Sequence, residues 1–253
     1  MDDEVALLHG IMIDPDSDVR RLAYADWLDE RGALEDEARA RFIRAQVHRV
    51  RDVDGSMMPV GELALLDEFE DRWRHWLPNP IRRGGYTMYE RGFPSKLECR
   101  AELVLSEWER GPILLPIEAL TLHILQPSPS WLSLSAPCPM LPLRYLRVRS
   151  ETPVGSLLMG AVLKLGPFPR LTELALRDGF LSDDALGDFR PDPALPALRR
   201  LSLAGCNVGD EGAEALAESG WAGRLERLDL TGNPISPSRV EWLRRRFGAA
   251  LTL

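Results

Sequence analysis

Eight side chains able to bind a ligand lie in short leucine-containing segments of this 253-residue chain. Six are arginines, whose planar guanidinium groups bind carboxylate or phosphate oxygens in pairs. The eight residues are Arg100, His123, Tyr145, Arg147, Arg149, Arg177, Arg200 and Arg227. Because the whole chain has a formal net charge of −8, a basic cluster on it indicates a surface for an anionic partner.

No motif for catalysis or for a cofactor accompanies these residues. The four histidines lack the His-Glu-x-x-His spacing of a zinc site, and neither a glycine-rich phosphate loop nor a Gly-x-Ser-x-Gly turn is present. The stretch DPDSD spaces its aspartates as calcium ligands are spaced, but Val19 and Ala25 stand where such a loop requires glycine and glutamate. We therefore predict a non-enzymatic protein without cofactor or metal, and interpret DPDSD as a turn with a helix cap.

The leucines around the arginines recur with a fixed period. The pattern Leu-x-x-Leu-x-Leu begins at Leu171, Leu198 and Leu225, so three copies follow one another at 27 residues. Weaker copies begin upstream at Leu143 and Ile117. A period of this length is typical of stacked repeats, in which each unit buries its apolar face against its neighbour.

The alternation within each copy predicts a strand whose last two leucines point inward while the residues between them point outward. Parallel strands with Leu201 beside Leu228 follow from the period. A further partial copy at Leu97 and Cys99 adds Lys96, Glu98 and Arg100 to the outward positions, which then carry seven basic residues against three acidic ones. The prediction is a binding face, and the alternative is a solvated surface whose charges are partly neutralised across strands.

Each strong strand is followed by a turn and a helix. Cys206 and Asn233 come after their strands, where a side chain can hydrogen-bond the turning backbone. Asp210 is the predicted cap of the next helix and Gly220 its end. The proline-rich stretch 127–142 predicts an irregular convex loop, with a proline-rich ligand motif as the alternative.

From about residue 93 to the C-terminus, these features resemble leucine-rich repeat proteins, most closely the ribonuclease-inhibitor-like subclass. The resemblance implies an α/β solenoid with a parallel sheet on its concave face and helices on its convex face. Some proteins of this subclass activate GTPases, so the resemblance also admits a regulator that supplies an arginine to an enzyme.

Residues 1 to about 80 carry helical periodicity instead. One apolar stripe of this region, predicted to be buried, consists of Leu66, Phe69, Trp73, Trp76 and Leu77. Asp26 falls between Val19 and Leu22, close to the apolar side of its helix, and Arg44 is one candidate partner for its carboxylate.

The stretch AYADWLDERG followed by FIRAQ resembles the repeat-companion domain, a short bacterial segment found beside leucine-rich and similar repeats. It covers about residues 3–50, and Ala40 and Arg41 replace the Gly-Glu pair that commonly precedes FIR. The resemblance implies a bacterial protein and supplies no catalytic residue. We predict an all-α domain over 1–80 and a leucine-rich repeat domain over 81–253, which begins with a hairpin-like cap.

Composition sets the remaining expectations. The N-terminus is acidic, no run of about 18 apolar residues occurs, and the three cysteines are odd in number, so we predict a cytoplasmic protein without disulfides that binds no membrane. The predicted function is a protein-interaction module, an adaptor or inhibitor, that binds an acidic segment of a partner protein. The alternatives are a regulator such as a GTPase activator, and phosphate-backbone binding through the arginines, which the net charge disfavours.

Overall fold

The computed structural model describes residues 3–52, 58–73, 77, 79–108, 115–125, 142–150, 167–177, 181, 183, 186 and 195–253. Its described helices are α1 (Asp3–Ile13), α2 (Asp18–Arg31), α3 (Leu34–Asp52), α4 (Val60–Trp73), α5 (Asn79–Gly84), α6 (Ala101–Trp108), α7 (Asp210–Glu218) and α8 (Pro237–Phe247). The strands are β1 (Tyr86–Glu90), β2 (Phe93–Arg100), β3 (Ala119–Ile124), β4 (Tyr145–Ser150), β5 (Glu173–Arg177), β6 (Arg200–Ser202), β7 (Arg227–Asp229) and β8 (Leu251–Thr252). Nearly all of the predicted proline-rich loop lies outside the described residues.

The chain forms two compact units. The first contains Met1–Leu97 with Pro112–Glu118 and Met140–Pro142, and the second contains the remaining residues. Helices α1–α5 therefore belong to the first unit, and strands β3–β8 belong to the second. None of the described helices combines the length and apolar character that a bilayer crossing requires.

Local signals define the helix pair α1 and α2. Residues 15 and 16 form a turn, and the Ser17 side chain caps α2 by accepting a hydrogen bond from the Arg20 amide. Helix α2 ends at Gly32, which takes the left-handed conformation with φ 68° and donates its amide to the Asp29 carbonyl. The interpretation of DPDSD as a turn and cap is confirmed.

Two apolar clusters hold the first unit together. One joins α1, α2 and α3 to β2, and includes Leu8, Tyr24, Ile43 and Phe93. The other contains the aromatic residues Phe42, Phe69, Trp73 and Tyr89. Burial of the predicted stripe is confirmed at Phe69, Trp73 and Leu77, whereas Leu66 is half-buried and Trp76 lies outside the described residues.

Asp26 is paired as predicted but is not near the apolar side of α2. The Arg44 Nη2 atom donates to Asp26 Oδ1 at 2.6 Å, and Arg44 Nη1 lies 2.6 Å from Asp29 Oδ2. The Asp26 side chain is 69% exposed, and Val19, which the prediction assigns to the apolar side of the helix, is 75% exposed. The predicted position of Asp26 near the apolar side was wrong, because Val19 lies in the first turn of α2, where its side chain faces solvent.

A tight turn joins β1 to β2. Arg91 and Gly92 both have positive φ, 53° and 84°, as the central residues of two-residue hairpin turns commonly do. The Gly92 amide donates to Gln46 Oε1 at 2.7 Å, and a Cβ atom at Gly92 would lie 2.5 Å from Ile43 Cγ1. Glycine is therefore required here both by the backbone conformation and by the close approach to α3.

The eight strands lie side by side in chain order, and β3 to β8 pair in parallel. Paired residues from β3 to β7 are 26, 28, 27 and 27 positions apart, so each repeat contributes one strand. The predicted pairing of Leu201 with Leu228 is confirmed, and Leu174 extends this row. Each of these leucines is at most 1% exposed.

Side chains after the strands bridge equivalent places in neighbouring repeats. Asn233 Nδ2 donates to the Leu203 carbonyl at 2.8 Å, and one repeat earlier Cys206 Sγ lies 3.2 Å from the Leu176 carbonyl. Asn233 also donates to the Leu230 carbonyl and accepts from the Val208 amide. These contacts satisfy backbone groups where the chain leaves the sheet, as predicted for the two positions.

A second contact joins the starts of successive helices. The Gly209 amide donates to Asp183 Oδ1 and the Ser236 amide donates to Asp210 Oδ1, both at 2.8 Å. A Cβ atom at Gly209 would lie 2.6 Å from Asp183 Oδ2, so glycine makes room for the carboxylate. The prediction that Asp210 caps its own helix was wrong: Gly209 is the N-cap of α7, which ends at Glu218, and Asp210 reaches the N-cap residue of α8.

We predict that Leu228→Asp unfolds the C-terminal strands, with a loss of roughly 4 kcal/mol or more, because it places a charge among buried leucines. Denaturant unfolding followed by circular dichroism measures the loss. The matched control Arg227→Asp changes an exposed neighbour and should lose less than about 1 kcal/mol. Equal losses in the two variants would contradict the observed register.

Asn233→Ala should lower the free energy of unfolding by about 2–3 kcal/mol, since it removes three hydrogen bonds between a side chain and backbone groups. Asn233→Cys introduces the residue that the preceding repeat uses, so its loss should be smaller than that of the alanine variant. Chemical denaturation of the unmodified protein and the two variants tests this order of stability. A cysteine variant as unstable as the alanine variant would contradict it.

Candidate binding surface on the parallel sheet

The outward side chains of β3 to β7 form rows that run across the strands. The first row is Ala119, Tyr145, Glu173, Arg200 and Arg227. The second is Thr121, Arg147, Ala175, Ser202 and Asp229, and the third begins with His123, Arg149 and Arg177. Neighbouring strands are ~4.8 Å apart, so each row brings charges from separate repeats close together. Ala175 is the exception to the predicted exposure, since it is buried.

One ion pair and one aromatic contact organise the first row. Arg200 Nε lies 3.0 Å from Glu173 Oε2 on the neighbouring strand. The guanidinium carbon of Arg200 also lies 5.9 Å from the centre of the Tyr145 ring, two strands away. Arg200 is thereby held between a carboxylate and an aromatic ring, while Tyr145 stays exposed.

Asp229 is fixed by hydrogen bonds at the end of the second row. It accepts from Ser202 Oγ at 3.0 Å, from the Thr231 amide at 3.0 Å and from Thr231 Oγ1 at 2.5 Å. Partial burial raises the pKa of Asp229, but these hydrogen bonds and the positive charge of Arg177 outweigh it and lower the pKa below its usual value. Asp229 is therefore a stable negative charge among the arginines.

Three arginines of this face form no ion pair with a described residue. Arg147, Arg149 and Arg227 are exposed and make no hydrogen bond or ion pair with any residue that the structure describes. Arg149 and Arg177 are partners across β4 and β5, and Arg200 and Arg227 are partners across β6 and β7. Adjacent cations on a sheet repel one another, so positive charge is concentrated on this part of the face.

A depression of about 260 Å³ lies between these side chains. Its charged lining consists of Arg147, Arg177, Arg200 and Arg227 together with Glu173 and Asp229. Four guanidinium groups around one depression can donate to a carboxylate from several sides. The two acidic groups limit how much additional negative charge the depression can hold.

The structure therefore brings most of the predicted site residues together. Tyr145 and Arg149 adjoin the depression through their partners Arg200 and Arg177. Arg100 and His123, on β2 and β3, do not line it, and His123 Nε2 lies 2.6 Å from Glu98 Oε1. The sequence pattern missed Ser202, which lines the depression and orients Asp229; its outward position in the repeat was the available signal.

The described residues contain no group of three or more histidine, cysteine or acidic side chains suited to a metal ion. Cys99 and Cys206 are buried, and burial raises the pKa of the Cys99 thiol to about 12. That thiol is protonated at neutral pH and is a poor nucleophile.

A comparison with protein families gives one match. Residues 195–217, which contain β6 and all but the last residue of α7, match the family model described as Leucine Rich repeat. The match supports a leucine-rich repeat protein, a class whose repeats commonly bind other proteins. The search of the curated proteins finds no match.

Asp229→Asn should have a lower free energy of unfolding than the unmodified protein at pH 7. This difference should disappear in acid. Because the folded-state pKa of Asp229 is lowered, its carboxylate stabilises the fold above the unfolded-state pKa of about 3.9, and this stabilisation disappears as the pH falls through the folded value. Urea denaturation of both proteins between pH 3 and 7 measures the difference. A difference that grows as the pH falls would contradict the assignment.

Proposed function

We propose that this chain is a cytoplasmic bacterial protein-interaction module, an adaptor or inhibitor without catalytic activity of its own. It would combine a leucine-rich repeat solenoid of the ribonuclease-inhibitor-like subclass, over 81–253, with a repeat-companion domain over 1–80. The partner is a protein with an acidic segment that lies on the concave face of the sheet. The contact residues are Arg100, His123, Tyr145, Arg147, Arg149, Arg177, Arg200 and Arg227.

The observation that carries this proposal is the set of unneutralised arginines on an acidic chain. Arg147, Arg149 and Arg227 are exposed without an ionic partner in the described part of the chain, although the chain has eight more negative than positive charges. Carboxylates of a partner would relieve the repulsion among these cations and form charge-assisted hydrogen bonds. Tyr145 adds an exposed aromatic anchor beside them.

Acidic and basic side chains alternate on this face, which favours a protein over a nucleic acid as the partner. Glu173 pairs with Arg200, and Asp229 lies among Arg177, Arg200 and Arg227 at the depression. A phosphate backbone presents regularly spaced negative charges, which would meet these two carboxylates as well as the arginines. A protein segment can place carboxylates opposite the free arginines and hydrogen-bond donors opposite Asp229.

Reversing Arg147 and Arg149 to glutamate should weaken partner binding at least tenfold, which corresponds to about 1.4 kcal/mol, while the fold is retained because both side chains are exposed. The partner is captured with the unmodified chain, identified by mass spectrometry and titrated by calorimetry. Binding of the unmodified chain should also weaken as salt rises.

The matched control is Arg41→Glu with Arg83→Glu, which makes the same change in net charge on exposed residues of α3 and α5. It should bind the partner with unchanged affinity. If only the control variant lost binding, the binding site would lie on the helical unit. If the unmodified chain bound random-sequence nucleic acid as tightly as it binds the partner, and this binding weakened with salt, phosphate recognition would replace the proposal.

A further inference from the structure

The depression on the parallel sheet lies where two short side chains adjoin in the second row. Ala175 of β5 and Ser202 of β6 stand between Arg147 of β4 and Asp229 of β7. Ala175 is buried and Ser202 is half-buried, so of these two it is Ser202 that a ligand in the depression can contact. Longer side chains of the first and third rows line the other sides: Glu173, Arg177, Arg200 and Arg227.

Four of the six charged groups around the depression already interact with one another. Arg200 Nε lies 3.0 Å from Glu173 Oε2. Asp229 accepts a hydrogen bond from Ser202 Oγ at 3.0 Å, and the positive charge of Arg177 acts on its carboxylate. Each of the two acidic groups therefore has an arginine that compensates its charge, at least in part.

Arg147 and Arg227 are the two charged groups that remain. Both are exposed, and neither forms a hydrogen bond or an ion pair with a residue that the structure describes. They line the depression from opposite sides, because β5 and β6 lie between their strands. The depression thus carries two uncompensated guanidinium groups, each with a planar set of donors.

We propose that the depression is an anchor subsite for one acidic side chain of the partner, whose carboxylate lies between Arg147 and Arg227. This inference rests on the proposed function and names the group that occupies one place on the face. A carboxylate has two oxygens, and each can accept charge-assisted hydrogen bonds from one of the two free guanidinium groups. The remaining arginines, Arg177 and Arg200, keep their contacts with Asp229 and Glu173.

The acidic groups of the lining favour a carboxylate over a phosphate as the occupant. A phosphorylated side chain carries more negative charge and a third strong acceptor oxygen. With two oxygens on the free arginines, the third would lie towards Glu173 or Asp229, whose ionised carboxylates donate no hydrogen bond. The Ser202 hydroxyl does not relieve this, because it already donates to Asp229.

The first test uses the full chain and four short peptides as probes. Three have the sequence acetyl-Gly-Gly-X-Gly-Gly-amide, where X is glutamate, glutamine or phosphoserine, and the fourth is the glutamine peptide with a free C-terminal carboxylate. The backbone amide signal of Ser202, followed in assigned ¹⁵N spectra, reports on the depression. The glutamate peptide should shift this signal in a saturable manner and bind about tenfold more tightly than the glutamine peptide.

Two results of this titration would overturn the anchor subsite. One is the absence of a shift with the glutamate peptide up to about 10 mM, the range of the weakest measurable affinities. The other is binding of the phosphoserine peptide, or of the peptide with the terminal carboxylate, that equals or exceeds binding of the glutamate peptide.

Two arginines of β4 provide a matched pair of variants. Arg147 lines the depression and Arg149 does not, although both are exposed outward residues without an ion-pair partner in the described part of the chain. Arg147→Gln should weaken binding of the glutamate peptide about fivefold or more, because it removes a direct donor. Arg149→Gln should weaken it less than about twofold, because salt screens a charge outside the depression. Equal weakening would indicate general attraction to the face and would contradict an anchor subsite.

A substitution without a change of charge tests the shape of the depression. Ser202→Met fills it and retains all six charged groups, so it should abolish the preference for the glutamate peptide over the glutamine peptide. Thr121→Met is the control, since Thr121 lies in the same row on β3 but outside the depression. It should bind the glutamate peptide with unchanged affinity. A preserved preference in folded Ser202→Met would contradict the proposal, and the Arg147→Gln result decides the matter if this variant does not fold.

Calorimetry with the recovered partner separates this inference from the proposed function. Reversal of Arg147 and Arg149 to glutamate tests the whole face, whereas Ser202→Met tests the depression alone. If the reversal weakens partner binding and folded Ser202→Met does not, the anchor subsite is wrong and the proposed function stands. If the reversal has no effect, the proposed function is wrong and the anchor subsite fails with it.

Discussion

Each inward leucine of the parallel strands is buried by the equivalent leucine of the next strand, and the rest of the sheet depends on this contact between repeats. Leu174, Leu201 and Leu228 form one such row and are almost completely inaccessible. A single repeat has no second layer of its own to cover these side chains, so the copies are stable only when stacked. Because a slip of one residue would turn every leucine to the opposite face, the apolar row also fixes the register.

The fixed register creates the charged surface. Once the leucines define the strands, the residues between them have no other direction than outward, and side chains from separate repeats become neighbours. Glu173 and Arg200 meet in this way, and so do Ser202 and Asp229. The arginines that pair with no carboxylate in the described part of the chain, such as Arg147 and Arg149, repel one another. The surface thus retains an electrostatic cost that stacking of the leucines offsets and that an acidic partner would remove.

The sequence was informative where a short-range pattern determines the structure. The period gave the strand register, and the turn chemistry of Ser17 and Gly32 gave the bounds of α2. It was uninformative where residues distant in the chain decide the outcome. The burial of Arg39 depends on rings from α4, β1 and β2, so within ARARFIR it cannot be distinguished from exposed Arg41. Likewise a list of outward charges does not reveal which of them are neutralised by a neighbour.

The contacts between the last repeats run in both directions along the chain. Asp183 and Asp210 accept from backbone amides of the following repeat, whereas Cys206 and Asn233 reach carbonyls of the preceding one. Gain or loss of one residue would separate donors from acceptors in both sets, but gain or loss of a complete 27-residue copy would give every group an equivalent partner. The C-terminal repeats can therefore change length only in whole-copy steps, such as duplication of a gene segment that encodes one repeat.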